Sequence, residues 1–172
     1  MTSICRLVLL CAVLLSSCKI QYNFTGGSLN PDLETISIAQ FINEAPLVVP
    51  TLAQDFTIAL QDRFLSGSRL SLTSGAADIN ISGVIIDYRV DPVAFTGVTS
   101  DERAQAAQNR LKITVRVKYD NNVDPNESWE QTFSSFTDFD ASLDFTAVEQ
   151  EKIAEVLEQL TQDIFNKSLG KW

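Results

Sequence analysis

Histidine is absent from the 172 residues, and the three cysteines all fall within the first eighteen positions. Without an imidazole, Ser-His-Asp and Cys-His catalysis are excluded, and with them nearly all transition-metal sites. Cys5 and Cys11 belong to an N-terminal leader that Cys18 closes. The body that follows has no disulfide and must be held by burial and hydrogen bonds alone. Long apolar runs are equally scarce. The uncharged run Leu7 to Leu15 is about half the ~20 residues that span a bilayer, and no second one follows. Basic charge is in deficit, with 13 Lys and Arg against 22 Asp and Glu and a net charge of −9. Such a chain is not expected to bind nucleic acid or anionic surfaces through bulk charge, so an anionic ligand needs a local basic patch. No catalytic residue, metal or cofactor is expected.

What is present begins with an export signal. A single basic residue, Arg6, precedes the apolar run, which ends in Leu15-Ser16-Ser17-Cys18. This resembles the bacterial lipobox, with Leu at −3, small residues at −2 and −1, and then Cys. Small residues suit a peptidase pocket, and the thiol carries diacylglycerol before cleavage frees its amine for a further acyl chain. Residues 1–17 therefore read as a lipoprotein signal peptide and Cys18 as the lipidation site. Losing Arg6, the leader's only charge, takes the net charge from −9 to −10. Each buried acyl methylene is worth ~0.8 kcal/mol, so a multiply acylated Cys18 anchors the chain to a membrane stably. Residues 18–33, with Gly26, Gly27, Ser28, Asn30 and Pro31, read as a lipidated tether. Residues 34–172 are long enough for one domain with a sizeable core.

Within that domain, Thr35 to Phe41 has strand composition, and Pro46 and Pro50 then break the chain. Thr51 with Gln54 forms a capping box, opening a helix with Leu52, Phe56, Leu60 and Phe64 on one face and Gly67 at its end. Ile79 to Val90 is a long strand whose apolar phase slips at Gly83, which predicts a β-bulge there, with Asp91-Pro92 ending the pairing. Asp101 to Gln108 has the composition of a helical turn or two. Leu111 to Tyr119 alternates without error, with Leu111, Ile113, Val115, Val117 and Tyr119 on one face. Asp120 to Asn126 makes a turn, and Trp129 to Phe136 returns as a hairpin partner. Thr146 with Glu149 is a second capping box, opening a helix with Ile153, Val156, Leu157, Leu160 and Ile164 on its core stripe. The order β-α-β-β-β-α predicts an α/β two-layer sandwich, a four-stranded mixed sheet with two helices packed on one face.

Three groups of residues carry possible chemistry. Asp120, Asn122, Asp124 and Asn126 have the alternating oxygens of a calcium loop, but Pro125 stands where the loop needs Gly and Gln131 where it needs Glu. Hairpin-turn chemistry explains the same residues. Asp138, Asp140 and Asp144 are close enough in sequence to suggest paired carboxylates for glycoside hydrolysis, or simply solvated loop acids. The row Lys112, Arg116 and Lys118, with Arg110 and Arg89 near it, falls on the sheet face opposite the helices. It makes a candidate site for phosphate or carboxylate, or a polar face countered by acids such as Glu130.

The ordered features resemble a family. Tyr22-Asn-Phe-Thr-Gly-Gly-Ser-Leu, followed by Glu34-Thr-Ile-Ser-Ile-Ala-Gln-Phe-Ile-Asn, is similar to the start of LptE-like lipopolysaccharide-assembly lipoproteins. Asn109-Arg-Leu-Lys-Ile-Thr-Val-Arg-Val-Lys-Tyr and Gln162-Asp-Ile-Phe-Asn-Lys-Ser-Leu-Gly-Lys-Trp are similar to later parts of the same family. The resemblance covers the chain after the leader and rests on the succession of elements. It implies a non-enzymatic outer-membrane lipoprotein that plugs and assists a large β-barrel of the LptD type. Lipopolysaccharide is the implied ligand, with Lys112, Arg116 and Lys118 as the candidate phosphate contacts. Lys19 stands where some bacteria place an inner-membrane retention Asp, which agrees with an outer-membrane destination facing the periplasm and barrel lumen. The alternative is a stand-alone lipid-tethered periplasmic lipoprotein that binds a small ligand between sheet and helices.

Overall fold

A computed structural model describes residues 32–47, 49–93 and 107–170. The leader, Cys18, most of the tether and residues 101–106 of the helical turn expected at Asp101 to Gln108 lie outside the described residues; its last residue, Gln108, opens a strand instead. Among the described residues no helix is long and apolar enough to cross a membrane.

The alternation read in the sequence becomes a central strand. Strand β5 (Gln108–Asn121) lies between β4 (Ile79–Val93) and β6 (Trp129–Asp140), antiparallel to both. Its odd-numbered side chains from Leu111 to Tyr119 are buried beneath two helices, α1 (Leu52–Gly67) and α2 (Phe145–Leu169). On the far side of β4, β1 (Thr35–Ile38) and β2 (Ile42–Asn43) run parallel to it, and β3 (Ser71–Leu72) pairs with β1. Parallel pairing needs a crossover, which α1 supplies between β2 and β3. The sheet therefore has six strands instead of the expected four, still mixed and still backed by two helices.

The two additional strands have separate physical causes. The expected strand Thr35 to Phe41 divides because the chain advances four positions from Ile38 to Ile42 while its partner in β4 advances only three, from Ile81 to Val84. The extra residue lets Phe41 turn inward, where its ring meets Phe56 edge-on at 4.8 Å and its N–H donates to Thr57 Oγ1 at 3.1 Å. Strand β3 has two exposed residues and no apolar alternation to announce it.

Gly83 explains the same inward turn. The bulge expected there falls at Ile86, where the register steps from Ile85↔Val115 to Asp87↔Thr114. Gly83 stays in phase, facing the core between Ile81 and Ile85. A Cβ on it would lie 2.6 Å from Phe41 Cε1 and 2.2 Å from the Arg116 carbonyl oxygen. Glycine is there for close approach. Pairing also continues through Pro92 to Val93, beyond the expected stop. Asn122 N–H donates to the Asp78 carbonyl, so the even-numbered residues of β5 bond to β4; Pro92 opposes the odd-numbered Asn109, and its missing N–H costs the ladder nothing.

Neither capping box forms. Thr51 sits before α1 without a side-chain cap bond. The cap of α2 is Asp144, which accepts from Thr146 N at 3.1 Å. Glu149 instead accepts from the Tyr88 hydroxyl at 2.7 Å, joining α2 to β4. Burial pushes the Tyr88 phenol well above its usual range, so it remains a donor. Gly67 ends α1 as expected, and it also admits the Phe165 ring of α2, which a Cβ would approach to 2.7 Å.

Candidate functional site

The sheet face opposite the helices, left open by the described residues, is built by the even-numbered residues of β5 and β6 and their partners on β4. Register sets them in rows: Ser82, Lys118 and Glu130; Val84, Arg116 and Thr132; Asp87, Thr114 and Ser134; Arg89, Lys112 and Phe136; Asp91, Arg110 and Asp138. All three predicted contact residues, Lys112, Arg116 and Lys118, stand on this face, as do Arg89 and Arg110.

The face is not net basic. Those five cations share it with Asp87, Asp91, Asp120, Glu130, Asp138 and Asp140, six acids in register on the same side. Most cations are already engaged. Arg110 grips Asp138 with both arms, Nε to Oδ1 at 2.7 Å and Nη2 to Oδ2 at 2.8 Å, and lies over the Phe136 ring at 3.7 Å. The guanidinium holds the Asp138 carboxyl below its usual range, and the same bonds raise Arg110. Arg89 reaches Asp91 at 3.1 Å and Asp87 at 3.5 Å, and Lys118 reaches Asp120 at 2.7 Å. Among the described residues, Lys112 and Arg116 form no ion pair. They stand four residues apart on β5, roughly 13 Å along the strand, with Lys112 half-buried and Arg116 exposed. Arg89, Asp91, Pro92, Val93, Arg110, Lys112 and Phe136 line a cleft of about 450 Å³ at this end of the face.

The other candidate groups have structural work. In the turn, Asp124 Oδ1 accepts from Asn126 N at 3.1 Å, and Asn122 Nδ2 donates to the Ala77 carbonyl at 2.7 Å. Asp120 is held by Lys118, so the alternating oxygens do not converge on a cation. Of the three late acids, Asp138 lies in β6 with Arg110, Asp140 accepts from Ser142 N at 2.8 Å, and Asp144 caps α2. Hydrogen bonds from Ser142 hold Asp140 below its usual range.

Sequence reading missed Asp78, whose Oδ2 accepts from Thr35 Oγ1 (2.7 Å), Thr35 N (2.9 Å) and Glu34 N (3.0 Å). These bonds, the Thr35 hydroxyl first, lower its pKa and pin β1 to the start of β4. It missed Phe136 as the shelf beneath Arg110. Hairpin register sets Arg110 opposite Asp138 and leaves Phe136 two residues away on the same face, within reach of the guanidinium.

Fold and site together define a two-layer α/β domain with one sheet face buried and the other polar, charge-balanced and, among the described residues, uncovered. A family model described as lipopolysaccharide-assembly, LptE, matches residues 33–168, and the chain belongs to that family. Membership ties it to lipopolysaccharide assembly in the cell envelope, within a family of lipoproteins that act without catalysis. No curated protein matches the chain in sequence. Among solved structures, a protein from Xanthomonas campestris of the DUF330 family is similar at TM-score 0.53 and 13% identity, covering 83% of this chain and 90% of that one. A minor lipoprotein from Acinetobacter baumannii is similar at TM-score 0.50 and 12% identity, covering 78% and 91%. A hypothetical protein from Chlamydia trachomatis reaches TM-score 0.51 at 10% identity, covering 79% and 93%. At these identities the likeness is one of fold.

Proposed function

We propose that the protein is exported, cut before Cys18 and lipidated there, and works at the outer membrane as the non-enzymatic partner of a large β-barrel of the LptD type. The family match over residues 33–168 carries this reading. A body that docks in or against a barrel needs rigidity and a polar outer surface, and it needs no active site. The filled core beneath the helices supplies the first and the open sheet face the second. Lys112 and Arg116 are the cations left to meet lipopolysaccharide phosphates, and Lys118 joins them when Asp120 releases it.

Nothing specific favours the stand-alone ligand binder. The space between sheet and helices is occupied by Phe56, Phe64, Leu111, Val115 and their neighbours. The two clefts described open on outer surfaces, one on the sheet face and one of about 340 Å³ between the helices.

The test is a mild-detergent purification of the tagged, lipidated protein from its own membranes, with mass spectrometry of the chains that come with it. Stoichiometric recovery of a large barrel protein is expected. Recovery of the protein alone sinks the reading. The mass of the mature N-terminal peptide checks the lipid separately: an unmodified Cys18 contradicts the anchor.

A further inference from the structure

The two edges of the sheet are treated differently. On one side the boundary is broken into β1, β2 and β3, of four, two and two residues. On the other, β6 runs twelve residues with no proline and an unbroken register to β5. Hydrogen bonds just beyond the ladders show which way its main chain points. Ala141 N–H donates to the Ala107 carbonyl at 2.9 Å, and this pair continues the β5–β6 register. Bonded pairs recur every second residue in an antiparallel ladder, so the odd-numbered residues of β6 bond to β5. Asn122 N–H donating to the Asp78 carbonyl at 2.8 Å agrees, because it assigns the even-numbered residues of β5 to β4. The main-chain N–H and C=O groups of Glu130, Thr132, Ser134, Phe136 and Asp138 therefore point out of the sheet. Among the described residues, no hydrogen bond joins these main-chain groups to a partner. The side chains of the first four are exposed.

Such a row is a template for one more strand, and edges of this length are normally blunted by proline, bulges, shortness, charged side chains or a covering element; β6 carries acids only near its two ends, at Glu130, Asp138 and Asp140. The opposite edge is short; β6 uses neither proline nor a bulge. We infer that β6 is an interaction edge that takes up an extended segment of a partner protein by strand addition. A second copy of this chain fits poorly in the two registers that use the whole edge. Antiparallel self-pairing about Ser134 sets Glu130 opposite Asp138, and pairing about Ser135 sets it opposite Asp140, like charges directly across. Glu130 is exposed and forms no ion pair among the described residues, so the incoming strand carries Lys or Arg opposite it. On the helix side the edge is flanked by Gln159, bonded to Ser135, and Glu155, bonded to Thr137. The incoming strand therefore presents polar side chains there too.

This inference rests on the reading that the protein works docked to a barrel partner, and the experiment separates the two. Amide hydrogen exchange is measured on the lipidated full-length protein, alone and in the purified complex. In the isolated protein the amides of Thr132, Ser134 and Phe136 exchange quickly, and those of Phe133 and Ser135 slowly. The complex is expected to slow the first set by about tenfold or more. Ser134→Pro removes an outward N–H and no bond to β5. It should lower recovery of the barrel by about tenfold, equivalent to the net worth of one to a few hydrogen bonds, while Ser134→Ala leaves recovery unchanged. Unchanged exchange in the complex overturns the inference, as does a folded proline variant that recovers the barrel at the wild-type level. If the proline variant fails to fold, the exchange comparison decides. Slow exchange in the isolated protein together with dimeric sedimentation overturns it in favour of a second copy. A wild-type protein that recovers no barrel overturns the docking reading and this inference with it.

Discussion

One strand, β5, builds two surfaces with opposite duties. Its odd-numbered residues Leu111, Ile113, Val115, Val117 and Tyr119 are at most 2% exposed beneath the helices. Its even-numbered residues Arg110, Lys112, Thr114, Arg116 and Lys118 look outward from a face that nothing described covers. Folding energy is concentrated on the first surface, because burial of apolar area is its dominant source. The second contributes mainly ion pairs in high dielectric, which are worth little to stability. Its side chains are therefore free to answer to a partner. The helix layer differs again: α1 and α2 carry Asp55, Asp62, Glu149, Glu151, Glu155, Glu158 and Asp163 against Arg63, Lys152 and Lys167. The acidity of the chain lies more on the helices than on the open sheet, whose cations and acids nearly cancel.

The comparison breaks hardest where the covered face depends on one contact. Phe41→Ala empties the space over Gly83 and beside Phe56, and is expected to cost about 3–5 kcal/mol in urea unfolding. A loss below about 1 kcal/mol would show that the inward turn of Phe41 is not part of the core. Gly83→Ala crowds the same place from the other side and should cost about 1–3 kcal/mol. Because the two residues touch, the double variant should lose less than the sum by the part of the Gly83→Ala cost that Phe41 causes, while the crowding of the Arg116 carbonyl remains in both.

On the open face the expected effects are smaller and depend on conditions. Asp138 has its folded pKa lowered by Arg110, so its contribution is present above its unfolded value of about 3.9. It is lost as pH falls through the lower folded value. Arg110→Gln should therefore be less stable than the parent at pH 7, with the gap closing as pH drops toward about 2. A gap that persists in acid would assign the loss to the Phe136 contact instead of the ion pair. Smallest for folding are Lys112→Ser and Arg116→Ser, each expected within about 0.5 kcal/mol of the parent. The same pair should reduce lipopolysaccharide co-purifying with the complex. Unchanged recovery would remove these two residues from ligand contact.

Much of this was legible in the sequence, and what was not has a common cause. The β5 alternation, both helices and the face bearing Lys112 and Arg116 follow from periodicity, because each repeats a signal over several residues. The division at Phe41 and the bulge at Ile86 are single-residue events decided by what packs across the sheet. Gly83 looked like the irregular position because glycine also marks bulges. Here it marks the close approach of the Arg116 carbonyl and of the Phe41 ring, forty-two positions earlier in the chain. The capping boxes failed for a similar reason: Glu149 satisfies Tyr88, sixty-one residues away, instead of its own helix end. The balance of charge on the open face needed strand register, since Asp87, Asp91 and Asp138 meet their cations only through pairing.

The most direct test of the central claim is depletion of the protein in its own cell, followed by measurement of lipopolysaccharide on the outer surface. Loss of surface lipopolysaccharide with accumulation inside the envelope is predicted, restored by the parent chain and not by Cys18→Ser. Normal surface lipopolysaccharide after complete depletion would contradict a role in its assembly.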